Sequence, residues 1–158
     1  MAKNILIADD NALVRSLIRT LIESAGFNVC AEAADGVEAI SKAKQSNPDL
    51  ILLDLSMPHL NGAEAAPILK KNMPHVPIIL FTMHEDSIGR TLANQIGVDR
   101  VIEKPDGMTK LVDSIRDLLS LPALGSRLVG PLKISVDGST NGTHPTQSAT
   151  PTEQNPPD

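Results

Sequence analysis

The stretch Leu50-Ile51-Leu52-Leu53-Asp54 is four consecutive aliphatic residues closed by an acid. A strand with one wet face alternates apolar and polar residues, so an unbroken apolar run implies burial on both faces. Sheets covered on both faces are parallel, and each parallel pair needs a crossover, usually a helix. The closing acid matters as well. In open parallel sheets ligands sit beyond the carboxyl ends of the strands, so each further strand is read for the residue it ends on.

Upstream, Ile5-Leu6-Ile7-Ala8 is another buried run, followed by Leu13, Val14, Leu17, Ile18, Leu21 and Ile22 at one-face helical spacing, with Gly26 as a C-terminal cap. Residues 27–32 predict a strand, and a helix from about Asp35 is expected to bury Val37, Ile40 and Ala43. Downstream come a helix from about Asn61, a strand over 76–82, a helix holding Ile88, Leu92 and Ile96, and a strand near 100–103. The last helix carries Leu111, Val112, Ile115, Leu118 and Leu119. Pro67, inside the third helical stretch, is expected to kink or shorten it. Five strands alternating with five helices predict an α/β fold. It is a doubly wound, five-stranded parallel sheet of flavodoxin-like form, with strand order 2-1-3-4-5 and helices on both faces.

A chain of 158 residues, 41% hydrophobic and 21% charged, suits one globular domain rather than two. A net charge of −5 and the absence of any Lys/Arg run disfavour general binding to nucleic acid or to membrane surfaces. Phe27 and Phe81 are the only aromatic residues, so base-stacking surfaces are excluded and the core must be aliphatic. Cys30 is alone and sits in an apolar stretch, which reads as an inert, buried thiol. The apolar run before Asp9 is only four residues long, too short for a signal peptide or a span, so a cytoplasmic protein is expected. Residues 122–158 hold half of the twelve prolines and no sustained period. They read as an extension in which Leu128-Val129 and Ile134-Ser135-Val136 can form a small extended patch, largely disordered after about 138.

The predicted strands end on Asp9-Asp10, on Asp54, on Thr82 and ahead of Lys104-Pro105. Each has an ordinary reading alone: an acid pair after a strand caps the next helix, and Lys-Pro makes a turn. In order at the ends of alternating strands, they put three carboxylates, a hydroxyl and an ammonium on one edge. Clustered carboxylates repel unless a cation neutralises them, and oxygen-only donors suit a hard ion such as Mg²⁺. A carboxylate is also a nucleophile toward phosphorus, and phosphoryl transfer needs mainly positioning and charge neutralisation.

With Ile5-Leu6-Ile7-Ala8-Asp9-Asp10, Leu52-Leu53-Asp54-Leu55-Ser56-Met57-Pro58, Asn61-Gly62, Phe81-Thr82-Met83-His84 and Glu103-Lys104-Pro105, the chain resembles the receiver domain of two-component response regulators over residues 1–121. The resemblance implies that Asp54 is the phospho-acceptor. It implies that Asp9, Asp10, Asp54 and the Ser56 backbone carbonyl hold Mg²⁺, that Lys104 contacts the phosphoryl group, and that Thr82 turns inward to bond it. It further implies a cis peptide between Lys104 and Pro105. The implied partners are a histidine kinase or phosphotransfer protein and a downstream protein, met through the fourth helix, fifth strand and fifth helix. Phosphorylation-dependent homodimerisation is a further option. Such a module is no turnover enzyme and catalyses only its own phosphorylation and dephosphorylation.

Receivers commonly carry an aromatic switch residue three positions before the lysine, where this chain has Val101. Transmission is then expected through backbone movement of residues 83–97. Ser56, Met83, His84 and Glu85 lie where the phosphate would enter and are candidates for setting its lifetime, with His84 and His59 read as solvent-exposed loop residues. Residues 122–158 hold only Arg127 and Lys133 as cations, so no DNA-reading helix is expected there. The chain is then a stand-alone receiver or one cut after its receiver, and Pro156-Pro157-Asp158 favours the former. Two other readings compete. An aspartyl-nucleophile phosphatase of the haloacid dehalogenase type needs a second Asp where Ser56 stands. A pseudo-receiver would act as a constitutive binding module with a dead pocket.

Overall fold

The computed structural model describes residues 1–83 and 87–121. The expected patch at Leu128-Val129 and Ile134–Val136, the tail beyond 138, and His84 and Glu85 all lie outside the described residues, as do the side chains of Ile88 and Leu92.

Five strand–helix units follow one another: β1 (Asn4–Ala8), α1 (Ala12–Ser24), β2 (Asn28–Ala33), α2 (Gly36–Ser46), β3 (Leu50–Asp54), α3 (Gly62–Asn72), β4 (Ile78–Thr82), α4 (Ser87–Ile96), β5 (Arg100–Glu103) and α5 (Lys104–Leu118). All strand pairs are parallel and the order is β2-β1-β3-β4-β5. The chain winds outward in both directions from β1 and β3, so their carboxyl ends lie at the switch point where such sheets open a crevice.

The unbroken apolar strands are buried on both faces. In β1, Ile5 and Ile7 join Ile18, Ile22, Leu111 and Ile115 of α1 and α5 in one core. Leu6 and Ala8 join Ala39, Ala43, Ala65, Ala66 and Leu69 of α2 and α3 in the other. Alanine dominates the α2 and α3 faces, which lets these helices sit close to the sheet. The α1 helix ends in a Schellman arrangement. Gly26 takes φ +94°, its N–H donates to the Glu23 carbonyl, and the Phe27 N–H donates to that of Ile22.

Four local expectations are corrected. Val37 is 57% exposed, because the buried stripe of α2 is Gly36, Ala39 and Ala43, and Val37 lies one residue off it. On α1 the buried stripe is Ile18 and Ile22, with Val14 and Leu21 packed beside it, whereas Leu13 and Leu17 point outward. A step of about 100° per residue carries each leucine off the face its neighbour occupies. Pro67 does not shorten α3, which runs on to Asn72. The proline faces solvent, where water can satisfy the carbonyl it leaves without a donor. Strand β4 starts at Ile78 rather than at 76, after Pro77, which has no N–H to give to the ladder.

Candidate functional site

The acid pair after β1 does not cap α1. Asn11 does, its Oδ1 accepting from the N–H groups of Leu13 at 3.0 Å and Val14 at 3.1 Å. Asp9 is thereby free for other work. Its Oδ1 accepts from the Asn11 N–H at 2.9 Å, and its Oδ2 faces Lys104 Nζ at 2.6 Å. Asp9 is almost fully buried, while Asp10 stands exposed beside it.

Asp54 closes β3 and is 5% exposed. The β3–α3 loop behind it is held by close backbone packing: the Gly62 N–H donates to the Leu55 carbonyl at 2.9 Å. A Cβ on Gly62 would collide with the Asp54 carbonyl oxygen, so only glycine fits. Asn61 starts α3 with a reciprocal capping box to Glu64.

Lys104 opens α5 and projects back across the sheet edge, with Nζ 3.3 Å from Asp54 Oδ1 and 5.9 Å from the centroid of the Phe81 ring. One ammonium thus bridges two carboxylates that start 45 positions apart in the chain, counted as 54 − 9. Thr82 ends β4 buried, one residue past Phe81, which is paired in register with Asp54. The expected cis bond at Lys104–Pro105 is not found. No peptide among the described residues is cis, and Pro105 instead occupies the first turn of α5, where helix N–H groups have no partner.

One carboxylate oxygen from each of Asp9, Asp10 and Asp54 lies within 4.8 Å of the others. Burial first, then the charge of Asp9, push the Asp54 carboxyl up to about 6, against the pull of Lys104 and of the Ser56 N–H that bonds it. A single ammonium does not fully offset three clustered acids. This donor set, all oxygen with one solvent-facing member, fits a hard divalent cation that keeps part of its water. Beside it an open cleft of about 650 Å³ is lined by Asp10, Ser56, Met57 and Asn61 among others.

All five side chains picked out by the sequence thus reach the same sheet edge. What the sequence did not reveal is how they are held: Asn11 as the true cap, Gly62 under Asp54, and an Arg15 guanidinium on the Asp9 carbonyl. The Asp-Asn-Ala order ahead of a helix was a readable signal for the first. The other two depend on how the chain turns between each strand and the helix after it.

A doubly wound parallel sheet with an acidic crevice at its switch point puts the chain among the flavodoxin-like α/β domains. The family model for the response regulator receiver domain matches residues 5–116, and the chain belongs to that family, the receivers of two-component signal transduction. It is 32% identical over 115 residues to the chemotaxis protein CheY of Thermotoga maritima, covering 73% of this chain and 96% of that protein. It is 36% identical over 145 residues to the probable transcriptional regulator ycf27 of Porphyridium aerugineum, of which it spans only 60%. Among solved structures, the CheX–CheY–BeF3–Mg complex from Borrelia burgdorferi superposes with a TM-score of 0.69 at 25% identity, over 73% of this chain and 88% of that one. No described helix is long and apolar enough to cross a membrane.

Proposed function

We propose that Asp54 is the phospho-acceptor of this receiver, that Asp9, Asp10, Asp54 and the Ser56 backbone carbonyl hold Mg²⁺, and that Thr82 and Lys104 engage the phosphoryl group. The observation that carries this is the buried Asp54 carboxylate sharing Lys104 with Asp9, next to an open cleft. A carboxylate oxygen of Asp54 attacks phosphorus as the bond to the donor's imidazole nitrogen breaks, giving an acyl phosphate and a free histidine on the donor. When bound, Mg²⁺ supplies neutralisation of the equatorial oxygens. Lys104 has to exchange its contact with Asp54 for one with the phosphoryl oxygens, and the Thr82 hydroxyl donates to another of them. The Borrelia CheX–CheY–BeF3–Mg complex supports carrying this chemistry over.

Residues 1–121 form the receiver and 122–158 an extension. The setting is a cytoplasmic phosphorelay, with a histidine kinase or phosphotransfer protein upstream and a protein partner downstream. The chain catalyses only its own phosphorylation and dephosphorylation. With Val101 in the aromatic position, the signal passes through residues 83–97. Incubation with Mg²⁺ and a small phosphodonor, followed by intact mass, tests the core of this reading. The expected product is a base-labile adduct of one phosphoryl group, absent in Asp54→Ala and retained in Ser56→Ala. An adduct that survives in Asp54→Ala refutes the assignment.

A further inference from the structure

Asp10 gives the pocket one of its three carboxylates, yet it stands exposed at the rim. Its direction is set by its neighbours, because both peptides that flank it are held. On one side the Asn11 N–H donates to Asp9 Oδ1. On the other the Asp9 carbonyl accepts from Arg15 Nη1 at 2.6 Å. The Asp9 N–H is held too, donating to the Ala33 carbonyl of β2 at 3.0 Å.

Arg15 does not stand alone on α1. Its Nε lies 3.3 Å from Glu32 Oε1 on β2, and Glu32 also pairs with Arg19. The Glu32 backbone carbonyl accepts from Lys42 Nζ of α2 at 2.6 Å, and Glu32 lies opposite Ile7 in the β1–β2 ladder. A planar guanidinium can serve two acceptors at once, here a strand carboxylate and the carbonyl at the end of the next strand.

We propose that Arg15, braced by Glu32, is a positioning residue for the metal pocket: it fixes the Asp9–Asp10 peptide plane and so aims the Asp10 carboxylate at the point shared with Asp9 and Asp54. The inference rests on the reading of this pocket as a Mg²⁺ site. Groups that orient metal ligands from behind commonly matter to affinity about ten-fold or more. A merely structural clamp would move stability and leave metal affinity untouched, so a binding titration separates the two roles. Charge makes the test a matter of sign. Removing a cation near three carboxylates should by itself tighten Mg²⁺ binding, whereas loss of aim weakens it.

The experiment is a Mg²⁺ titration of the full chain by calorimetry and by the amide signals of Asp10 and Asn11. Arg15→Met is expected to bind about ten-fold more weakly than wild type, with both signals already displaced before metal is added. The charge-balanced Arg15→Met/Glu32→Gln chain is expected to lose at least as much, and Arg15→Lys, which keeps a donor for the Asp9 carbonyl, to recover most of the single variant's loss. Equal or tighter binding by folded Arg15→Met overturns the brace; should that variant not fold, the double variant decides on the same criterion. A lysine variant as weak as the methionine one counts against it as well. A wild-type chain that takes up no Mg²⁺ overturns the pocket reading, while wild-type binding with unchanged variants overturns only the role of Arg15.

Discussion

Burial beside the charge of Asp9 raises the Asp54 carboxyl to about 6 from an ordinary 3.8. In the unfolded chain the proton leaves near the ordinary value, so between the two the folded state binds more protons. The stability this group contributes is therefore complete at low pH and is lost as pH rises through about 6. Asp54→Asn removes the charge and keeps the shape. In the absence of metal it should be more stable than wild type at pH 7.5, by up to about 3 kcal/mol, with the difference closing toward pH 4. Urea denaturation across that range measures it, and a difference independent of pH would contradict the assigned cause. Saturating Mg²⁺ should narrow the gap at pH 7.5, because a bound cation offsets the repulsion that Asn relieves. The identity of Asp54 was legible from its place at the end of an apolar run. Its raised pKa was not, since that depends on how deeply the fold buries the carboxyl and on how near Asp9 comes.

The elements place the site through their ends, and there small residues decide geometry. Gly62 lies against the Asp54 carbonyl, with backbone rather than a flexible side chain in the way. Gly62→Ala should force the start of α3 away from β3, costing about 1–3 kcal/mol and slowing adduct formation at Asp54. Denaturation midpoints and the rate of phosphodonor labelling check both parts, and a variant that labels at the wild-type rate argues against this role. Pro67 offers the opposite case. It sits exposed within α3 and removes one helical hydrogen bond. Pro67→Ala should stabilise the chain by about 1–3 kcal/mol and leave labelling unchanged, which the same two measurements test. Sequence periodicity located every helix, but it over-assigned the buried faces: Leu13, Leu17 and Val37 fit a helical spacing and are nevertheless exposed. Periodicity shows that a face exists. Which residues at its edge are covered depends on how the helix rolls against the sheet.

At the level of the fold, the first core closes with Leu118, Leu119 and Leu121 packed on it, and the Leu121 N–H donates to the Arg116 carbonyl at 2.8 Å. The family match ends close by, at residue 116. A chain ended after Leu121 should therefore unfold cooperatively at the midpoint of the full chain, and should form the same Asp54 adduct. A drop in midpoint or loss of labelling would show that residues 122–158 belong to the working domain.

By itself the sequence determined the alternation of strands and helices, the parallel sheet, and the residue types at the strand ends. These follow from local patterns: unbroken apolar runs, helical spacing, and the acid or hydroxyl at the ends of β1, β3 and β4. Only the tertiary structure decided which of those residues meet. Lys104 bonds Asp9 across 95 positions, and Arg15, which reaches the Asp9 carbonyl, also holds Glu32 on the neighbouring strand. Such contacts depend on strand order, register and helix roll. Those are set by packing between distant segments, so no local pattern in the chain carries them.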